Sequence, residues 1–345
     1  MSLKKKNFIF IGGVVLLFGL IYWIGISAEG PPGRTGLGNQ PDLSKDDETI
    51  VFPYYKDGAA SLFTSAAVGG EAEVLAEPEE GASFIKPAFS PDGHQVAFIK
   101  EWEEEGRLQS QLMIHERSTG EHRSLLSTEH LVTEAVFAPN GEELYFIKSS
   151  LSKEELESDE ERSRGLDVYK MNVDTEEVER VTTTSSFSMN SLQVTEEGDQ
   201  LLYYVYNGSD QIKSYDLKSK TTESIRPEPS YRSGASEGPM LSEPRMSPDG
   251  EVVAFSDVAS HSEQGTFQYE VFHMTREGED VEQVTNVHAF AGGTLFFRKS
   301  KQLLITIDRN FAGRDQDLEY WIFDRDGSSS KEVIINIPEQ REGGQ

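Results

Sequence analysis

Hydrophobic positions fall into two regimes along the chain. Phe8–Ile26 is one continuous apolar run of 19 residues without a charge. Beyond residue 42 no such run recurs. Apolar residues there alternate with polar ones over short stretches such as Gln95–Lys100, Glu143–Lys148 and Glu251–Ser256, the period-two signature of half-buried strands. The first regime predicts one helix and the second predicts an all-β body.

As a helix the apolar run is about 29 Å long, the thickness of one hydrocarbon core. Lys4, Lys5 and Lys6 precede it, so residues 1–7 are expected in the cytoplasm and the rest outside. Residues 8–26 read as a signal-anchor, with Tyr22 and Trp23 at the outer interface. A cleaved signal peptide is the rival reading, through small residues at Gly25–Ala28, although the run exceeds the usual h-region. Residues 27–41 are rich in Gly and Pro and read as a flexible tether.

The strand-forming part repeats. FSPDGHQVAF at Phe89–Phe98, FAPNGEELYF at Phe137–Phe146 and MSPDGEVVAF at Met246–Phe255 share one pattern. Leu43–Phe52 and Val194–Tyr203 fit the same columns more weakly, and a degenerate sixth copy starts at Phe296. Starts at 43, 89, 137, 194, 246 and 296 are 46, 48, 57, 52 and 50 residues apart. In each copy a strand meets a Pro-Asp-Gly-type turn. Proline presets φ at the second position, and glycine takes the positive φ that closes the hairpin. Gly93, Gly141 and Gly250 should therefore all have positive φ. Two further short strands complete each copy. Six units of four antiparallel strands predict a six-bladed β-propeller over residues 42–338, in which blade stacking covers both sheet faces and ring closure hides the edges. Residues 339–345 are a polar tail.

The aromatic-Ser-Pro-Asp-Gly…Ala-Phe turn at 89–98 and 246–255 resembles the repeat of TolB-type β-propellers, over roughly residues 42–337. The resemblance implies the fold. It implies little about activity, because such repeats occur in periplasmic translocation proteins, beside peptidase domains and in other envelope proteins.

Charge narrows the partners. The chain holds 60 acidic and 32 basic residues, a formal charge of −28. Residues 1–27 contain three lysines and no acid, so the exported part carries −31. A nucleic-acid partner is excluded, since it requires a basic face. Such a charge also resists adsorption to anionic walls and lipids. Absence of cysteine rules out disulfides, thiol catalysis and zinc-thiolate sites.

Local motifs yield no catalytic centre. Gly234-Ala235-Ser236-Glu237-Gly238 matches a nucleophile elbow, but it lies in a polar loop with Pro239 next and no α/β domain around it. Asp324-Arg325-Asp326-Gly327 opens like a calcium loop, yet the twelfth position is Ile335. The seven histidines show no metal spacing. No cofactor is expected; weak Ca²⁺ binding to so acidic a surface has no placed site. Ser149–Gly165 is the longest insertion, with six acids in KEELESDEER.

Loops joining second to third strands are long and dissimilar, and binding resides on such loops. Trp102 in Glu101–Gly106, and Arg309, Phe311 and Arg314 in Asp308–Asp317, are the candidate binding residues. Innermost strands should bring Lys86, Glu134, Glu243 and Arg245 to the channel mouth. The expectation is a non-catalytic, membrane-anchored scaffold that binds an envelope protein or wall component. The alternative is a glycan hydrolase or lyase whose carboxylates converge in the channel.

Overall fold

Alternating sequence becomes antiparallel sheet throughout the computed structural model, which describes residues 33–152, 165–313 and 315–338. Among the described residues there is no helix, and none long and apolar enough to cross a membrane. The anchor expected at 8–26, Arg314, most of the acidic insertion and the polar tail lie outside the described residues.

Strands group into six successive antiparallel units. The first has an interrupted inner strand, Gly36–Leu37 and Asp42–Leu43, then Thr49–Lys56, Ala59–Ala66 and Glu73–Ala76. The second is Ala82–Phe89, Gln95–Glu104, Arg107–Glu116 and His122–Ser124. The third is His130–Phe137, Glu143–Ser152, Leu166–Asn172 and Val178–Arg180. Ser188–Val194, Gln200–Tyr206, Asp210–Asp216 and Thr221–Ile225 make the fourth. The fifth is Ser242–Met246, Val252–His261, Phe267–Thr275 and Glu282–Gln283, and the sixth is Phe290–Phe296, Gln302–Asp308, Leu318–Asp324 and Ser330–Glu332.

Each second strand is covered on both faces, so alternation there sorts neighbours rather than core from solvent. Val96, Ala97, Phe98 and Ile99 are all fully buried. Phe98 and Val96 pack on the first unit, whereas Ala97 and Ile99 pack on the third. The same division continues from unit to unit. It also joins the last to the first, where Phe52 and Phe63 meet Leu304, Tyr320 and Ile322. Ile335–Asn336 runs parallel to Gly70–Glu71 and ties the end of the described chain to the first unit.

The repeated turn is a small hydrogen-bonded device. Ser90 Oγ donates to Asp92 Oδ1 (2.6 Å) and accepts from Gln95 N (2.9 Å), while Gly93 N donates to Ser90 O (2.9 Å). Ser247 repeats it with Asp249 and Val252. So does Ser44 with Asp46 and Thr49, although that copy lacks both Pro and Gly. Gly93, Gly141 and Gly250 have φ of 71°, 74° and 72°, as the sequence requires.

Two boundaries differ from the sequence reading. The first unit begins inside the expected tether, with Gly36–Leu37 paired to Tyr54 and Tyr55. Gly-rich composition here serves close approach instead of flexibility: a Cβ at Gly38 would lie 2.6 Å from Pro53 Cγ. Gly38 O also accepts from the buried Tyr320 hydroxyl (2.5 Å). Likewise Glu101–Gly106 is not a loop. Both strands run on to a two-residue turn at Glu105-Gly106, whose φ values of 53° and 77° suit a tight hairpin.

Candidate functional site: a channel of inner strands and an aromatic shelf

The inner strands of the second to sixth units break register, that of the third unit twice, and that of the first is interrupted between Leu37 and Asp42. Slips occur between Ile85 and Ala88, Val132 and Glu134, Asn190 and Gln193, Ser242 and Arg245, and Gly292 and Leu295. Positive φ marks the same place at Gln40 (58°), Lys86 (51°), Ser191 (56°), Glu243 (50°) and Gly293 (57°). A bulge of this kind re-aims one side chain out of the ladder. Here the re-aimed position lies four residues before the turn residue in five units, at Gln40, Lys86, Ser191, Glu243 and Gly293; Glu134 has the same offset in the third unit but stays in the ladder, opposite Ile147. All six line one cavity of about 170 Å³. Two residues further on, Asp42, Gln193 and Arg245 contribute to a second layer of the same cavity.

Carboxylates in this channel clasp adjacent units. Asp42 Oδ2 accepts from Phe89 N (2.8 Å), Glu134 Oε1 from Leu192 N (3.0 Å) and Glu243 Oε2 from Gly293 N (2.5 Å). Gln193 and Met246 exchange two bonds of 2.9 Å across the next boundary. Burial pushes the Asp42 carboxyl up, against the Phe89 amide and the nearby Arg245 and Arg298. Glu243 is likewise pushed up by its depth in the ring, with the Glu134 charge adding to it and the Gly293 amide and Arg245 opposing. Arg298 Nε donates to Glu196 Oε1 (2.9 Å), an ion pair that links the sixth unit to the fourth at the turn side of the channel.

Lys86, Glu134, Glu243 and Arg245 are thus brought together in one cavity. Sequence reasoning missed Gln40, Asp42, Ser191, Glu196 and Arg298. The constant offset of four from the turn was the signal that could have found the first and third.

Loop-face candidates separate. Trp102 lies in a strand, half-buried, opposite Ala82 and Gln109, with Lys100 Nζ 5.0 Å above its ring. Arg309 Nε donates to Glu319 (3.0 Å) and its guanidinium covers Trp321 at 5.6 Å. Phe311 is 42% exposed, yet one face stacks on Phe290 at 5.0 Å and its ring meets Tyr269 edge-on at 5.3 Å. Tyr269 continues to Phe267, which is also 42% exposed, and Phe267 to His261 at 4.9 Å. These five rings form a shelf where the fifth and sixth units meet. Four of them sit in strands, so they read as core in the sequence.

Other motifs resolve structurally. Asp257, fully buried, accepts from Tyr231, Ser233, Met240 and Val258 and so pins the loop that holds the G-x-S-x-G sequence; Ser236 itself is exposed and no helix follows it. Asp324–Gly327 is a hairpin turn closed by Gly327 N to Asp324 O (2.8 Å). His115 is buried, and burial together with His122 and Arg117 holds its pKa down. Among the described residues no group of three or more His, Asp or Glu is placed to hold a metal ion.

No family model and no curated protein matches the chain. Solved structures do. TolB from Acinetobacter baumannii aligns over 90% of this chain and 66% of its own, with 15% identity and a TM-score of 0.55. An oligogalacturonate lyase in complex with manganese aligns over 83% and 76%, with 17% identity and a TM-score of 0.53. The β-propeller domain of the Trilobed protease from Pyrococcus furiosus aligns over 88% and 84%, with 13% identity and a TM-score of 0.51. The chain spans just under two-thirds of that TolB chain's length. At these identities the likeness is one of fold: a TolB-like β-propeller.

Proposed function

We propose that the chain is a membrane-anchored binding scaffold outside the cytoplasm, a six-bladed propeller that binds an envelope protein or wall component through its loop face. The shelf of Phe311, Phe290, Tyr269 and Phe267 carries this reading. Aromatic anchors backed by other rings lose little side-chain entropy on binding and dominate interface energies. The run at 8–26 supplies the membrane attachment. A net charge of −28 keeps the scaffold off anionic surfaces, so attachment to a partner is selective.

Crosslinking of the full chain in intact envelopes, followed by affinity measurement on the captured partner, tests it. Phe311→Ala should weaken binding by about 1–2 kcal/mol without changing the melting temperature. Binding that ignores both Phe311→Ala and Phe267→Ala moves the contact off the shelf.

A second reading, a channel enzyme acting on glycans, is favoured by the meeting of Asp42, Glu134 and Glu243 in one cavity. Each spends an oxygen on a backbone amide, which suits a clasp better than a catalyst. Cleavage of an oligosaccharide that disappears in Glu134→Gln would establish it.

A further inference from the structure

The channel contains opposite charges that do not meet. Glu134 is 7% exposed and its Oε2 is buried without a hydrogen-bond partner, although its Oε1 is used on Leu192 N. Gln40 Oε1, in the same layer, is a second buried acceptor without a partner. Lys86 is on the adjacent strand to Glu134. It makes no hydrogen bond or ion pair among the described residues and acts only at a distance on Glu243 and Glu101. A lysine and a glutamate on neighbouring inner strands would ordinarily pair and so relieve the cost of burial. Their separation leaves an acceptor side and a donor side facing the same space.

The order of units sharpens this. Glu134 and Glu243 stand on either side of the short Ser191, in the third and fifth units. Lys86, in the second, faces the fifth across the ring. At the sixth position Gly293 offers no side chain, and a Cβ there would already lie 3.0 Å from Thr306 Oγ1. The cavity of about 170 Å³ is smaller than the roughly 300–1,000 Å³ of sites for drug-sized ligands. It equals about five or six waters at liquid density, at roughly 30 Å³ each, so one bridging water does not fill it.

We propose that this cavity binds a small zwitterion of amino-acid size. Its ammonium group sits between Glu134 Oε2 and Glu243, and its carboxylate meets Lys86. Arg245, held to Leu192 O (3.3 Å) one layer away, sets the field at Glu243 without being needed as a contact. The site is independent of the aromatic shelf, so either can fail alone.

Glycine, L-alanine and glycylglycine are the probes, with methylamine and acetate as half-molecules. Each is titrated against the full chain in detergent micelles by calorimetry and thermal melting. The zwitterions should raise the melting temperature at millimolar concentration by linkage. Methylamine and acetate should each bind at least about tenfold more weakly. Glu134→Gln keeps an oxygen for Leu192 N but removes the spare carboxylate oxygen, and should cost glycine about tenfold in affinity. Lys86→Met, at a residue that supports no hydrogen bond, should cost a similar factor and serves if Glu134→Gln misfolds. Absence of any shift up to about 50 mM, at which even a weak site of Kd near 1 mM saturates, means a water-filled channel and overturns the proposal. So does a half-molecule that binds as well as glycine, or glycine binding unchanged in both variants.

Discussion

Carboxylates at the turns and carboxylates in the channel come from the same repeat, a few residues apart, and they behave oppositely. At the turns, Asp92 is held low by the Ser90 hydroxyl and the His94 amide, and Asp46 by Ser44 and the Glu48 amide. Asp249 meets some burial that works upward, yet Ser247, the Glu251 amide and Arg325 bring it down. In the channel, burial wins for Asp42 and Glu243. A solvated carboxylate with its hydrogen bonds filled stabilises a turn and has nothing left to offer. A buried one with an oxygen to spare is an expensive way to join two strands. The turns are therefore scaffold, and the channel is where interaction capacity remains.

The largest expected effect is at the turn backbone. Gly250 has φ of 72°, and valine is strained there, so Gly250→Val should destabilise by about 1–3 kcal/mol in urea unfolding. If the channel rather than the turns held the fold together, this variant would unfold at the wild-type midpoint. Next comes the turn side chain. Asp249→Ala removes one acceptor from the buried Ser247 hydroxyl and one from Glu251 N at the surface, and should cost about 1 kcal/mol. A loss equal to that of Gly250→Val would show that the side chain, not the glycine, sets the turn.

The turns were legible because Ser-Pro-Asp-Gly is a local code: its partners lie within five residues. The succession of antiparallel four-stranded units followed from its recurrence. The channel was legible only in part. Lys86, Glu134, Glu243 and Arg245 stood out as charges in apolar strands, whereas Gln40 and Ser191 look ordinary until aligned by offset. The start of the first unit was hidden by composition, since Gly36 and Gly38 read as linker while contacts with Pro53 and Tyr320, far off in sequence, make them strand. Phe311 was visible as an exposed ring in a loop. Its backing by Phe290 and Tyr269 depends on the single parallel contact between the fifth and sixth units at Tyr269 and Phe290, which no local pattern encodes.

The smallest effect discriminates best. Glu243 has a folded pKa above its ordinary 4.5, so ionising it opposes folding. Whatever stability it contributes is complete below pH 4.5 and is lost as pH rises through the raised value. The turn aspartates have the reverse sign: their contribution is present above their ordinary 3.8 and is lost as pH falls. Glu243→Gln keeps an oxygen for Gly293 N and removes the ionisation. At pH 7 it should match the wild type within about 0.5 kcal/mol or exceed it, the range of a substitution that breaks no buried contact. At pH 4 any advantage should vanish, because the wild-type carboxyl is then protonated in both states. Asp249→Ala should instead lose its penalty progressively as pH falls below 3.8, where the unfolded chain takes up the proton before the folded one. Urea midpoints of the three proteins from pH 3 to pH 8 measure this directly. A Glu243→Gln chain weaker than the wild type by more than about 1 kcal/mol at pH 7 would place Glu243 with the turn aspartates, as an ionised structural group worth a charged hydrogen bond.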